Sequence, residues 1–307
     1  MSIQNIMWLV FATVMTVMFI LDLWVFNRKS HEIRFREALT WTLVWVGLAM
    51  AFNAGVWYLL GPAKALEFFT GYIIEESLSV DNLFVFIMIF SYFHVSRAQQ
   101  PKILKWGIIG ALVMRGVFIL VGIELIERFH WMVYIFGAIL IYTGFKMAFG
   151  GDEKVEPEKN PLVRLVRRFM PITKRIRGDK FFIRRRGIWA ATPLFLTLIV
   201  VESSDVIFAV DSIPAVLAVT HDPFIVYSSN VFAIMGLRSL YYLLAHVMEM
   251  FVYLKLGVSC ILAFVGAKML LVDVVEIPLL LSLGVIIGTL TISILTSVLI
   301  ARKTHRV

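Results

Sequence analysis

Two short segments set acidic residues inside long apolar runs: Glu75, Asp81 and Asn82 in IIEESLSVDNLFVF, then Glu202, Asp205 and Asp211 in VVESSDVIFAVDSIPA. An ionisable side chain at the centre of a spanning helix costs about 2.5 to 3.5 kcal/mol on insertion scales. Repeating that cost calls for compensation, and a cation is the simplest. The donors on offer are carboxylate, amide and hydroxyl oxygens without thiolate or imidazole. That set suits Mg²⁺, Ca²⁺ or Mn²⁺ rather than Zn²⁺ or Cu⁺.

The charge sum fixes the sign of the ligand. Six acids (Glu75, Glu76, Asp81, Glu202, Asp205, Asp211) share these apolar segments with two arginines, Arg115 and Arg238, for a formal balance of −4, so an anion is not expected. Carboxylates this crowded cannot all ionise without a metal, and the cluster should titrate as a coupled set. Metal binding would expel protons, which makes exchange of a divalent cation for protons chemically natural. The arginines admit two roles: counter-ions that hold empty carboxylates apart, or structural pairs that tie helices together.

Spacing says which groups can meet. Glu202 and Asp205 are three apart and share a helix face, as do Glu75 and Asn82 at seven apart, whereas Asp81 and Asp211 lie six residues from Glu75 and Asp205 and point elsewhere on a regular helix. Pro214, three residues after Asp211, offers a break that would turn that carboxylate and freed carbonyls inward, the alternative being a tolerated kink. Gly71, Ser77 and Ser79 offer a weaker break of the same kind. Glu76 faces about 100° away from Glu75 and is expected outside the ligand set. Asn53 and Asn230 are expected to be interhelical hydrogen-bond donors rather than ligands. His246, near a span end, is expected to be structural.

The elements that must position these groups are membrane spans. Of 307 residues, 60% are hydrophobic and 16% charged, and the mean hydropathy is +0.87, outside the range of soluble domains. Nine spans are predicted, over 6–26, 38–60, 66–93, 104–124, 130–149, 188–219, 223–248, 253–272 and 278–300. The first apolar run lacks a preceding basic region and is long enough to span, so it is expected to remain as a helix rather than be cleaved. Asp22 near its inner end is expected to reach the interface.

Residues 151–187 hold 12 Lys and Arg against 5 Asp and Glu, a balance of +7. The basic loops predict an N-terminus outside and a C-terminus in the cytoplasm, with this loop touching anionic lipid. No nucleic-acid motif surrounds it, and nucleic-acid binding is not expected. The one cysteine, Cys260, rules out a disulfide framework within the chain and a multi-cysteine zinc site, and reads as a small buried apolar side chain.

An internal duplication at an offset of 122 to 124 residues relates Asp81 to Asp205, Arg115 to Arg238, Gly144 to Gly266 and Lys146 to Lys268. Three spans make one repeat, and an odd number inverts the second copy. The expected architecture is therefore all-α and polytopic, with two inverted three-helix repeats and their polar groups near the bilayer midplane. In one transmembrane domain over 1–307, a helix pair (6–60) precedes repeat one (66–149), the basic cytoplasmic loop (150–187), repeat two (188–272) and a final helix (278–300).

GYIIEESLSVDNLFVF, ATPLFLTLIVVESSDVIFAVDSIPA, DPFIV and SNVFAIMGLRSLYYLL together resemble the TerC family of bacterial membrane proteins, and within it the Alx-type manganese exporters, over nearly the whole chain. The resemblance implies an inner-membrane protein of the LysE-like transporter superfamily, linked by name to tellurite resistance and otherwise to Mn²⁺ efflux. It implies metal contacts at Glu75, Asp81, Asn82, Glu202, Asp205, Asp211 and Ser212. One departure is Glu76, which stands where many relatives carry Lys.

The expected function is export of a divalent metal, Mn²⁺ foremost as transported substrate, with Arg115 and Arg238 balancing charge and no organic cofactor. Competing readings are export of amino acids or organic cations, and a membrane metal chaperone that loads exported enzymes beside the secretion machinery. No enzyme activity is expected, since the GxGD pattern of intramembrane aspartyl proteases is missing.

Overall fold

Residues 3–20, 34–150, 160–173, 178–185, 188–247, 253–275 and 277–304 are described by a computed structural model. In chain order they form α1 (Ile3–Ile20), α2 (Phe35–Leu60), α3 (Pro62–Tyr92), α4 (Gln100–Arg128), α5 (Met132–Phe149), α6 (Pro161–Phe169), β1 (Phe182–Arg185), β2 (Ile188–Ala191), α7 (Pro193–Leu217), α8 (Pro223–Val247), α9 (Leu254–Leu270) and α10 (Leu279–Thr304). A helix occupies each of the nine predicted segments. Five of these helices, α2, α4, α5, α7 and α10, are long and apolar enough to cross a membrane. The protein is a polytopic membrane protein. Asp22, Arg28, Lys29, His31 and Glu276, together with most of the acidic start of the basic loop, lie outside the described residues.

The lipid-facing character is visible on the helix exteriors. Leu43, Val113, Leu120, Leu280 and Ile292 are large, apolar and exposed, as hydrocarbon contact requires. The interior holds three apolar clusters. One joins α1, α2, α3 and α8 through stacked aromatics such as Phe52 and Phe232, with ring centroids 4.8 Å apart. A second, around Ile74, Ile119, Ile213, Leu217 and Val265, fills the end of the bundle where α7 stops. The third, around Phe86, Ile103, Leu194 and Tyr241, fills the opposite end.

Helices α5 and α9 pack along most of their lengths. Gly137 lies against Gly266, and Gly144 lies against Ser259. As the residue number rises in α5 it falls in α9, so the two run antiparallel. Glycine removes the side chain at these points, and the backbones close to a distance that no Cβ permits.

Three local expectations fail. Cys260 of α9, expected to be buried, is exposed. The predicted sixth span, 188–219, begins with a strand: Ile188–Ala191 pairs antiparallel with Phe182–Arg185, Arg184 opposite Trp189. The helix starts only at Pro193, a residue suited to a first helical position. Its 25 residues form one unbroken helix, so the surplus length that suggested a break does not exist. Nor does Pro214 break α7, which continues to Leu217. Pro214 falls in the last turn, where few backbone bonds remain to be lost. The described residues of the basic loop include α6 and β1, the latter paired with β2.

Candidate functional site

Arg115 stands midway along α4 and is 1% exposed. Its guanidinium ties four helices together. Nη1 donates to Glu75 Oε1 of α3, to Asn230 Oδ1 of α8 at 2.8 Å and to Ser212 Oγ of α7 at 3.2 Å. Nη2 donates to Asp205 Oδ1 of α7 at 3.4 Å, and Asn230 Nδ2 donates to Glu75 Oε2 at 3.2 Å. The helical period produces this convergence: Asp205 and Ser212 are seven apart on one face of α7.

The site is under-satisfied. Asp205 Oδ2, Arg115 Nε, Ser79 Oγ and Asn82 Nδ2 are buried without a hydrogen-bond partner. A buried polar atom left unbonded costs about 1 to 3 kcal/mol, so these atoms are the natural contacts for an ion or for water. Ser79 and Asn82 follow Glu75 by four and seven residues and share its face. Two buried carboxylates, Glu75 and Asp205, face one guanidinium, leaving the immediate cluster one negative charge in excess when both are ionised.

Glu202, one turn from Asp205 toward the start of α7, occupies space that a glycine provides. A Cβ on Gly110 of α4 would lie 2.1 Å from Glu202 Oε2. Glu202 and Asp205 line a cleft of about 10 Å³ with Gly107, Leu104, Phe86 and Ile234. That is room for roughly one water molecule.

The other predicted site residues go elsewhere. Asp211 accepts from Thr143 Oγ1 of α5 at 2.9 Å and feels the charge of Lys146. It does not join the Arg115 cluster, because an unbroken α7 carries it to another face. Glu76 accepts from Tyr72 Oη at 2.8 Å and lies near Gly236 and Trp45, away from Glu75 as the helical period requires. The side chain of Asp81 lies outside the described residues, although its backbone belongs to α3. Arg238 is buried on α8, one turn from Tyr242. The expected ligand set is therefore divided, with Asp211 apart from Glu75 and Asp205, and no three Asp, Glu, His or Cys among the described residues stand together as a metal-ligand set.

Asn230 fills the role expected of it as interhelical glue: from α8 it accepts from Arg115 of α4 and donates to Glu75 of α3. Ser79 was weighed only as a helix-weakening residue, although its spacing from Glu75 puts it on the polar face.

At the end of the bundle where α7 stops, a cavity of about 620 Å³ opens. Lys64, Glu67, His130, Thr220, His221 and Asp222 line it, and Val133, Leu217 and Met269 make its apolar walls. Lys64 Nζ bridges Glu67 Oε2 at 2.9 Å and Asp222 Oδ2 at 3.2 Å, which pins the start of α3 to the α7–α8 turn.

Comparison with known proteins places this arrangement. The chain is 48% identical over 296 residues to an uncharacterised membrane protein, STKORF319, of Myxococcus xanthus, covering 96% of this chain and 93% of the relative. It is 48% identical over 297 residues to Alx of Escherichia coli K12, named as a candidate membrane-bound redox modulator, with 94% of this chain and 92% of that one covered. An uncharacterised membrane protein of Rickettsia bellii is 37% identical over 292 residues, covering 95% and 97%. No solved structure matches. The profile of the integral membrane protein TerC family matches residues 60–305, a span that holds Glu75, Arg115, Asp205, Ser212 and Asn230, and the chain accordingly belongs to the TerC family.

Proposed function

We propose that this protein exports a divalent cation, Mn²⁺ foremost, across a bacterial inner membrane through the cluster around Arg115. The observation that carries this reading is the buried Glu75–Arg115–Asp205 arrangement with Asp205 Oδ2 left unbonded. Arg115 acts as a resident cation that keeps two carboxylates compatible with burial while no metal is bound. A divalent ion displaces it, takes the carboxylate oxygens with Ser212, Ser79 and Asn82 in reach, and returns the acids to Arg115 on leaving.

In this reading nine helices cross the bilayer, with the N-terminus outside and the C-terminus cytoplasmic. The antiparallel α5–α9 crossing supports two inverted repeats, because those helices correspond in the duplication. Gly137 against Gly266 and Gly144 against Ser259 are one contact seen twice: an offset of 122 carries Gly144 to Gly266 and Gly137 to Ser259. Offsets of 123 and 124 relate Arg115 to Arg238 and Asp81 to Asp205, and in this reading Arg238 balances charge in the second repeat as Arg115 does in the first.

The cleft of about 10 Å³ beside Glu202 and Asp205 favours a bare ion over an amino acid or organic cation. Manganese among hard divalent ions comes from the family resemblance and the oxygen-only donors. The redox name of the Escherichia coli relative is compatible with a transported ion as its agent, since a single cysteine cannot form a disulfide within this chain.

The test is ⁵⁴Mn²⁺ uptake by inside-out vesicles, comparing the native protein with Asp205→Asn and Asp81→Asn. Both variants are expected to lose most uptake. Unchanged uptake in both would remove the site assignment, uptake of an amino acid without metal would favour the organic-cation reading, and metal transfer only in complex with the secretion machinery would favour a chaperone.

A further inference from the structure

We propose that α6 is an in-plane anchor that seats on an anionic lipid surface beside the helix bundle, a role separate from ion movement. Three stripes run along this nine-residue helix. Val163 and Val166 pack into the apolar cluster formed by the ends of α4 and α7, fixing the helix at the level where those spans leave the membrane. To one side of them lie Leu162, Leu165 and Phe169, spaced three and four apart, which are 44%, 50% and 77% exposed. To the other side lie Arg164, Arg167 and Arg168.

Among the described residues nothing buries that apolar stripe, and the adjacent bilayer accounts for it. A short, strongly amphipathic helix with Leu and Phe on one face and arginine on the other lies in the headgroup boundary, its apolar side toward acyl chains. The arginines supply the complementary charge for phosphatidylglycerol or other acidic headgroups.

The surrounding structure holds the anchor ready. Asn160 caps the helix start, its side chain accepting from the amides of Leu162 at 2.9 Å and Val163 at 3.3 Å. The residues leading into β1 are tied to the α3–α4 connection by Gln99 Nε2 donating to Gly178 O at 2.9 Å and to the first turn of α4 by Lys102 over the Phe181 ring at 4.7 Å. Trp189 on β2, 58% exposed and opposite Arg184, adds an aromatic residue of the kind that favours the interface.

The test uses the full chain in a Cys260→Ser background, labelled with an environment-sensitive fluorophore at Leu165→Cys or, separately, at the neighbouring Arg164→Cys. Each is reconstituted in phosphatidylcholine vesicles with or without phosphatidylglycerol, a fraction of the lipid carrying a nitroxide on its acyl chain. The label at Leu165→Cys is expected to be quenched about three-fold more than that at Arg164→Cys, and more strongly with phosphatidylglycerol present. Adding Arg167→Gln and Arg168→Gln is expected to erase the phosphatidylglycerol dependence. Equal quenching at the two positions, or none at either, in protein that elutes as the native chain does, would overturn the anchor. Equal quenching at Leu165→Cys in both lipid mixtures would overturn its preference for acidic headgroups.

Discussion

Gly137 of α5 and Gly266 of α9 meet backbone to backbone: a Cβ on Gly266 would stand 2.7 Å from the Gly137 carbonyl oxygen, and one on Gly137 would stand 2.9 Å from the Gly266 carbonyl oxygen. Neither neighbour is a flexible side chain that could swing aside. Gly266→Leu is therefore expected to force the helices apart and destabilise by about 1 to 3 kcal/mol. Gly47→Ala, on α2 with nothing within 4 Å of the added carbon, serves as the control and should leave the melting temperature of the solubilised protein unchanged or raised. Equal losses in both variants would show that the α5–α9 crossing is not a fixed contact.

Removing the guanidinium of Arg115 leaves Glu75 and Asp205 buried without their cation. Arg115→Ala is expected to cost about 3 to 5 kcal/mol, measured as a shift in thermal unfolding in one detergent. Arg115→Lys should recover part of this, because a single ammonium cannot span Glu75, Asp205, Ser212 and Asn230 together. If Mn²⁺ substitutes for the resident cation, millimolar Mn²⁺ should raise the melting temperature of Arg115→Ala more than that of the native chain.

The two polar clusters on α7 should separate functionally. Asp211 is bonded to Thr143 and stands near Lys146, whereas Asp205 is bonded to Arg115. Thr143→Val is expected to weaken helix association by about 1 kcal/mol or less while leaving metal uptake near native. A loss of uptake matching that of Asp205→Asn would place Thr143 and Asp211 in the ion path.

Gly110 gives the Glu202 carboxylate its position. In Gly110→Ala the new Cβ takes the place of a flexible chain end, so the carboxylate rotates away at a stability cost under about 1.5 kcal/mol. Apparent affinity for the metal should fall while maximal uptake holds, a split that vesicle kinetics over a range of Mn²⁺ would read. A lowered maximum with unchanged affinity would assign Gly110 to packing alone.

Asp273 accepts hydrogen bonds from Tyr134 and, at 3.2 Å, from His130, and these hold its carboxyl below the ordinary carboxylate range. A depressed folded value means that its contribution is complete above the ordinary range and disappears as pH falls through the folded value. Asp273→Asn should therefore lower the melting temperature slightly at pH 6, with the difference closing as the pH falls through the depressed folded value. A difference that persists in acid would show that the two donors do not act through the ionised carboxylate.

The sequence already showed which residues share a helix face, since spacing is a local property. Glu202 with Asp205, and Glu75 with Asn82, needed nothing beyond the helical period, and that period also correctly directed Glu76 away. How neighbouring helices are rotated is not a local property. Asp211 meets Thr143 instead of the shared cluster because α7 is unbroken, and a proline in the final turn looks the same in sequence whether or not it breaks a helix. The strand at Ile188–Ala191 was equally hidden. Its apolar residues continue smoothly into those of α7, and its partner strand lies among arginines that suggested only an unstructured loop.

The cavity of about 620 Å³ sets Lys64, Glu67, His221, Asp222 and Lys268 beside apolar Leu217 and Met269. Under the proposed export, a hydrated ion resting there would keep its water shell until the helices part, so helix movement and dehydration would be one event. Ions of equal charge would then be sorted by how readily they shed water, and Mg²⁺, which gives up its shell reluctantly, would be the one held back.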